Sequence, residues 1–312
     1  MIQIPVFFLW LLLLNLPAYA SEGKPEFCAR YDSQQTDTTG PQKDRDSIPY
    51  GKGLLWKIET SSGNSSYIFG TMHSQDRLVT GLPPKVRLAL INSNRLVMEV
   101  VSDEEANRIF NESIYFKNDS SLRQMVDDSI YQRIETLLPE YGIEKNRIDK
   151  VKPWAAFTLL GRPKPVRAPT QDANIRQLAL AHGIPVTGIE RMDELLDALE
   201  NLSRSDQIEI LNNTVCNRGE ILHGALELLH LYINRDLAGI VLFNEQPHYD
   251  EAVFDRFMDA VLYGRNNTML KRIEPYLQDG GAFIAVGALH LPDKKGLLNR
   301  LAEKGYKIEM IY

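Results

Sequence analysis

The sequence is poor in the features from which function is usually read. With two cysteines, Cys28 and Cys216, in 312 residues, it cannot build a thiolate metal site or a small fold framed by disulfides. The two could still form a single disulfide, and the sequence leaves that open. No block of Lys and Arg occurs, and 35 basic against 41 acidic side chains leave a net charge of −6. Affinity for a phosphate backbone needs clustered cations, so no nucleic-acid partner is expected. His-Glu-x-x-His, Gly-x-Ser-x-Gly, P-loop and Rossmann glycine strings are all absent, which argues against several common hydrolase and nucleotide-binding classes. What is present is 44% hydrophobic residues, enough for one large domain or two smaller ones to bury a core without staples.

Residues 1–20 carry no charged side chain. Phe7 to Leu14 form an unbroken apolar run, and Ala18-Tyr19-Ala20 gives a small-x-small cleavage site after Pro17. This reads as a secretory signal, although no Lys or Arg precedes the run. At about ten residues the run is short for a ~30 Å hydrocarbon layer; an uncleaved anchor is the alternative. No later stretch reaches roughly 18 apolar residues, so the mature chain is expected to have no integral membrane segment and to be exported to the periplasm or the extracellular space. Residues 21–50 are polar and read as a poorly ordered leader, except for whatever Cys28 ties down.

A domain is expected over 51–312. Leu54 to Ile58 and Tyr67 to Phe69 are β-rich runs separated by turn residues, a hairpin that leads straight into Gly70-Thr71-Met72-His73. Pro83-Pro84 opens a helix, followed by a strand, Arg95 to Val100, that carries Glu99 near its end. Helical patterns over 103–160 are interrupted by Pro139 and Pro153, and a helix over 171–182 closes at Gly183. A strand follows over 184–190, ending in Glu190, and residues 193–237 and 250–277 read as long helices. A buried-type strand, 281–290, ends in Val286-Gly287-Ala288-Leu289-His290, and a helix over 297–304 and a strand over 307–312 complete the chain. The expected fold is α/β (α+β): a central mixed sheet with large helical insertions forming lobes over one edge.

Four strands thus end in His73, Glu99, Glu190 and His290. In an α/β sheet the C-terminal ends of parallel strands meet at one edge, where ligands bind, so these side chains can converge. Two of them share the frame Gly-x-x-His, with Gly70 and Gly287 expected to let the chain turn sharply and approach a ligand closely. Twenty glycines and six histidines make one such string unremarkable; a pair, both at strand ends, is more informative. Two imidazoles and a carboxylate suit Zn, Mn, Co or Fe with positions open for water. Glu227-Leu228-Leu229-His230, with His223 ahead of it, shares the spacing of a helical carboxylate–imidazole pair, but no second pair exists, since Pro247 interrupts Glu245-x-x-His248.

Leu55-Trp56-Lys57, Gly70-Thr71-Met72-His73, Leu82-Pro83, Leu96-Val97-Met98-Glu99, Lys152-Pro153-Trp154, Gly188-Ile189-Glu190, Arg265-Asn266-x-x-Met269 and Val286 to Leu291 occur in that order over about residues 51–312. In this the chain resembles the TraB/GumN family, whose animal relatives are the Tiki proteases. The resemblance implies a metal-dependent peptidase-like fold whose site carries His73, His290, Glu99, Arg265 and Asn266. Arg191 departs from the pattern, since many members place Thr after the residue matching Glu190.

The expected chemistry follows. His73 and His290 bind a divalent metal (Mn, Co or Zn) that activates water, and Glu99 either completes the shell or acts as general base. Arg265 stabilises an oxyanion or orients Glu99, and Asn266 donates a second hydrogen bond. Asn266-Asn267-Thr268 is also a sequon, and a glycan there would block the pocket. The substrate would be a peptide or protein. The competing readings are an exported metal- or haem-binding protein without turnover, and an inactive partner of envelope or signalling peptides.

Overall fold

In the computed structural model, residues 26–31, 44–246 and 248–312 are described; the segment 1–20 expected to be a signal and most of the expected leader lie outside them. Six strands form one mixed sheet: β1 (Leu55–Glu59), β2 (Ser65–Thr71), β3 (Arg95–Val100), β4 (Val186–Glu190), β5 (Ala282–Gly287) and β6 (Lys307–Met310), in the order β4-β3-β5-β2-β1-β6. β1 and β2 form the expected hairpin, with Leu55 opposite Phe69 and Glu59 opposite Ser65. At its turn Gly63 takes φ 87°, a left-handed conformation that glycine adopts without steric cost.

β2, β5, β3 and β4 run parallel, with Thr71 beside Gly287, Met98 beside Ala285 and Val100 beside Glu190. Their C-terminal ends therefore lie along one edge. β5 is buried from Ala282 to Val286, as a strand covered on both faces must be, which is why its sequence shows no polar alternation. The outermost strand, β6, is largely exposed and carries Lys307 and Glu309, charges that discourage further pairing.

Two large apolar cores result. The first joins the sheet to helices Pro84–Ile91, Gln171–Ala181, Arg218–Ile233, Gly264–Asp279 and Leu297–Glu303. The second is helical, built from Glu104–Ser113, Asp128–Leu137, Pro153–Leu160, Met192–Glu200, Arg204–Cys216 and Glu251–Met258. This is the helical lobe that the sequence implies. Val100 at the end of β3 belongs to the second core, and Leu289 packs against both, so the strand edge sits where they meet.

Several boundaries differ from the expectation. Residues 193–237 do not form one long helix: the chain breaks at Ser203, whose hydroxyl caps the Asp206 N–H, at Asn217, and at Arg235, which has φ 58°. Pro153 opens a helix rather than bending one, and Pro139 stands in the first turn of a short 3-10 helix; in both places its missing N–H would have had no intrahelical partner. Helix Glu251–Met258 continues through a π-helical turn, Asp259–Tyr263, into Gly264–Asp279. Two pieces of the expected leader are among the described residues. Glu26–Tyr31 is a 3-10 helix whose Cys28 is disulfide-bonded to Cys216, and Arg45–Ser47 precedes Ile48, which packs on Ala238 and Val241. Among the described residues no helix is long and apolar enough to cross a membrane.

Candidate functional site at the strand ends

Both histidines leave the sheet edge after a glycine, but not for the reason expected. Neither Gly70 nor Gly287 has a positive φ; Gly287 sits at φ −53°, open to any residue. What each position needs is the absence of a side chain. A Cβ on Gly70 would lie 3.0 Å from the Ala288 Cα and 2.9 Å from Leu291 Cδ1, and one on Gly287 would lie 3.3 Å from both Glu99 Oε2 and His290 Cδ2. The two turns are thus pressed together, the backbone of one against the other. Gly70→Ala should cost roughly 1–3 kcal/mol in urea unfolding, because Ala288 is backbone and cannot swing aside. Gly219→Ala, where nothing lies within 4 Å, should cost nothing.

The turn that carries His73 is held from behind. Gln171 Oε1 accepts the Met72 N–H at 2.8 Å, and the Tyr232 hydroxyl shares its hydrogen between the Gly70 carbonyl (2.9 Å) and Gln171 Oε1 (3.0 Å). Burial drives the Tyr232 phenol far above its usual pKa, so it remains a donor. His73 Nδ1 lies 2.6 Å from Asp172 Oδ2. A carboxylate only accepts, so Nδ1 carries the hydrogen and Nε2 stands on the opposite edge of the ring. Burial by itself would lower the His73 pKa, but Asp172, with help from Glu99, outweighs it and raises the imidazole above its ordinary value.

His290 is held in the same way by a different residue. Its Nδ1 lies 2.6 Å from Asn266 Oδ1, while Asn266 Nδ2 donates to the Lys295 carbonyl at 3.1 Å. That second bond fixes which way the amide points, so His290 Nδ1 is the donor and Nε2 faces Glu99 Oε1 at 3.6 Å. Asn266 therefore stands behind the imidazole with its amide engaged, not over the cleft as an oxyanion donor. At 1% exposure it offers no room for a glycan, so its sequon is silent in the folded chain.

Arg265 is likewise committed. Its Nε donates to Glu190 (3.1 Å to Oε2), its Nη2 to Glu190 Oε2 (2.6 Å) and to Glu99 Oε1, and its Nη1 to the Val261 carbonyl (3.0 Å). Of the two roles expected for Arg265, the structure shows the one that orients Glu99. Glu190 is the second counter-ion of the same guanidinium. The π-helical turn immediately before Arg265 shifts the helix register, a distortion often found at functional sites. Burial alone would raise the Glu99 pKa, but Arg265 and then His290 hold the carboxyl well below the usual range. A general base works best with a pKa near the working pH, so Glu99 is poorly matched to that part. Its Oε2 also accepts the Gly287 N–H at 2.8 Å. Among the described residues no three His, Cys, Asp or Glu side chains form a ready-made cation shell.

Glu99, His73, Arg265 and His290 line one cleft of about 710 Å³ including its open mouth, together with Thr71, Tyr232 and Asn244. The sequence reading missed Asp172, Gln171, Tyr232 and Asn244. Asp172 follows the helix cap Thr170, and nothing local signals that it reaches a histidine 99 positions earlier. His223, Glu227 and His230 lie on the exposed face of helix Arg218–Ile233, so the alternative carboxylate–imidazole pair is surface.

Comparison with curated proteins finds no match, and neither does comparison with solved structures. The model of the TraB/PrgY/gumN family matches residues 54–310, a span that holds all six strands, both Gly-x-x-His turns and the Arg265–Asn266 pair. The chain belongs to the TraB/PrgY/gumN family.

Proposed function

We propose that the protein is an exported metal-dependent hydrolase of peptides or proteins, with His73 and His290 as ligands of a divalent cation such as Mn, Co or Zn. The observation that carries this reading is that each imidazole has its Nδ1 donated to a fixed acceptor, Asp172 or Asn266. Metal-binding histidines are oriented in this way, with Nε2 left as the donor atom. Charge supports the same reading. Glu99 and Glu190 pair with Arg265, and Asp172 pairs with His73, so three carboxylates share one permanent cation and two net negative charges remain when both imidazoles are neutral, a deficit that a divalent cation closes. When bound, such a cation supplies Lewis acidity and lowers the pKa of water. Glu99 adds a fixed negative charge beside both imidazoles, and Arg265 with Glu190 keeps it there. The Cys28–Cys216 disulfide supports export, since such bonds persist in oxidising compartments.

A second reading, a metal or haem binder without turnover, gains from one observation: the donors of Arg265 are engaged with Glu99, Glu190 and Val261 rather than aimed into open space. Elemental analysis of the purified chain, then incubation with a mixed peptide library and Mn, Co or Zn read by mass spectrometry, separates the two. Metal-dependent new peptide termini that vanish in His73→Ala and His290→Ala are expected. Asp172→Asn should weaken metal binding about 10–100-fold while the circular dichroism stays native. A stoichiometric metal or a Soret band on adding haem, without cleavage, would favour the binder. Metal retained by both histidine variants would sink both readings.

A further inference from the structure

The cleft beside the two histidines is mostly apolar, walled by Met72, Leu228, Ile240, Val261, Leu262 and Leu289. Besides the His73, Glu99, Arg265 and His290 cluster and Tyr232, two polar side chains, Asn244 and Thr71, interrupt this lining. Asn244, 5% exposed, stands at the end of helix Leu237–Asn244, and its Nδ2 donates to the Ile240 carbonyl at 2.8 Å. That bond settles the orientation of the amide and leaves Oδ1 buried with no donor among the described residues. Thr71, 2% exposed at the end of β2, has a hydroxyl that is buried and equally without a partner. Native proteins pair nearly all such atoms, so two in one cleft call for an explanation. Neither residue takes part in holding the imidazoles.

We propose that Asn244 and Thr71 form a subsite that takes an extended peptide segment by one apolar residue. The backbone N–H of that residue donates to Asn244 Oδ1, and a backbone carbonyl accepts from the Thr71 hydroxyl. The chemistry is the usual one for a small-ligand cleft: apolar walls give affinity, and a few fixed polar atoms give orientation. An acidic or basic residue would lose its hydration against these apolar walls, and Glu99 and Arg265 in the same cleft are already paired with each other. Asn244 and Thr71 are positioning residues, and the proposal rests on the hydrolytic reading only for what happens to the peptide once bound.

The test uses the full chain and fluorescein-labelled Ala-Ala-X-Ala amides with X as Leu, Phe, Asp or Lys. Binding is followed by anisotropy in EDTA, so that no cleavage is needed. The Leu and Phe peptides should bind at least about tenfold tighter than the Asp and Lys peptides. Methylating the amide nitrogen of X should weaken wild-type binding about tenfold. The same methylation should make no difference in Asn244→Leu, which removes the acceptor. That variant should be at least as resistant to urea as wild type, because it loses a buried unpaired oxygen; a merely structural asparagine would make it weaker. Thr71→Val should bind about fivefold less tightly, with Thr71→Ser restoring affinity. Equal affinity for all four peptides, or a methylation penalty that persists in Asn244→Leu, overturns the proposal. Discrimination without cleavage on adding Mn, Co or Zn would keep the subsite and remove the hydrolase, whereas equal cleavage of all four would do the reverse.

Discussion

Replacing Arg265 with Met should lower stability at neutral pH by about 3–5 kcal/mol, because it leaves two buried carboxylates facing each other without their shared cation. Arg265 and its partners Glu99 and Glu190 are almost wholly buried, with side-chain exposures of 7%, 4% and 4%. The attraction within such a cluster is largely offset by desolvation, but removing one member exposes the full cost of the others. The dependence on pH gives the test its sign. In wild type the Glu99 carboxyl lies well below its ordinary value: burial opposes this, but Arg265 and His290 prevail. Its contribution is therefore complete above the unfolded carboxyl pKa of about 4.3 and is lost as pH falls through the folded value. In Arg265→Met burial acts on Glu99 without the guanidinium, its folded carboxyl takes up a proton more readily, and the variant recovers on acidification. Urea unfolding at roughly pH 7 and pH 5 should show the gap between the two proteins narrowing. A gap that widens at the lower pH would mean that the cluster is not held by charge. Adding Glu190→Gln to Arg265→Met should restore part of the loss.

The same cluster shows what a sequence can and cannot convey about such a site. Strand-end placement was legible because it depends on local pattern: short apolar runs, each followed by a His or Glu, imply a shared edge once the strands are parallel, and β2, β5, β3 and β4 are. The Gly-x-x-His repeats were legible as a pair, yet their reason was not. Gly70 and Gly287 read as glycines for sharp turns, while the structure needs them bare because Gly70 meets Ala288 and Leu291 of the other turn and Gly287 meets Glu99 and His290, contacts that depend on segments far apart in the chain. The family resemblance points to Arg265 and Asn266 as site residues, but adjacent helical positions point in different directions, and which partners each meets depends on the π-helical turn at Asp259–Tyr263. A single i→i+5 step leaves no periodicity to detect. Asp172 was invisible for a simpler reason: an acidic residue in the first turn of a helix is commonplace, because it complements the helix dipole.

The helical lobe raises the related question of how a segment so near the N-terminus contributes to a domain whose family resemblance begins at residue 54. Cys28 and Cys216 are joined across 188 positions, with Cα atoms 5.4 Å apart. Closing a loop of that length removes enough freedom from the unfolded chain to stabilise the fold by about 5 kcal/mol in the chain-entropy model. Around the bond, Asn217 Nδ2 donates to the Tyr31 carbonyl at 2.7 Å, the Tyr31 hydroxyl donates to Glu209 at 2.7 Å, and the Tyr31 ring meets Tyr249 edge-on at 5.2 Å. Burial first, and then Glu209, push the Tyr31 phenol up to about 12, so it stays a donor over the working pH range. So few contacts should hold the short helix Glu26–Tyr31 only while the bond keeps its effective concentration high. Cys216→Ser should therefore lose about 3–5 kcal/mol in urea unfolding, and wild type in a strong reductant should lose the same amount. In both, limited proteolysis should release the segment ahead of residue 44 before it cuts the rest of the chain. Neither cysteine lines the cleft, so the metal binding proposed for His73 and His290 should be the same in folded Cys216→Ser as in wild type. If stability is unchanged on reduction, the Glu26–Tyr31 helix is held by its packing alone; if metal binding falls with it, the helical lobe and the strand edge are coupled more tightly than their separate cores imply.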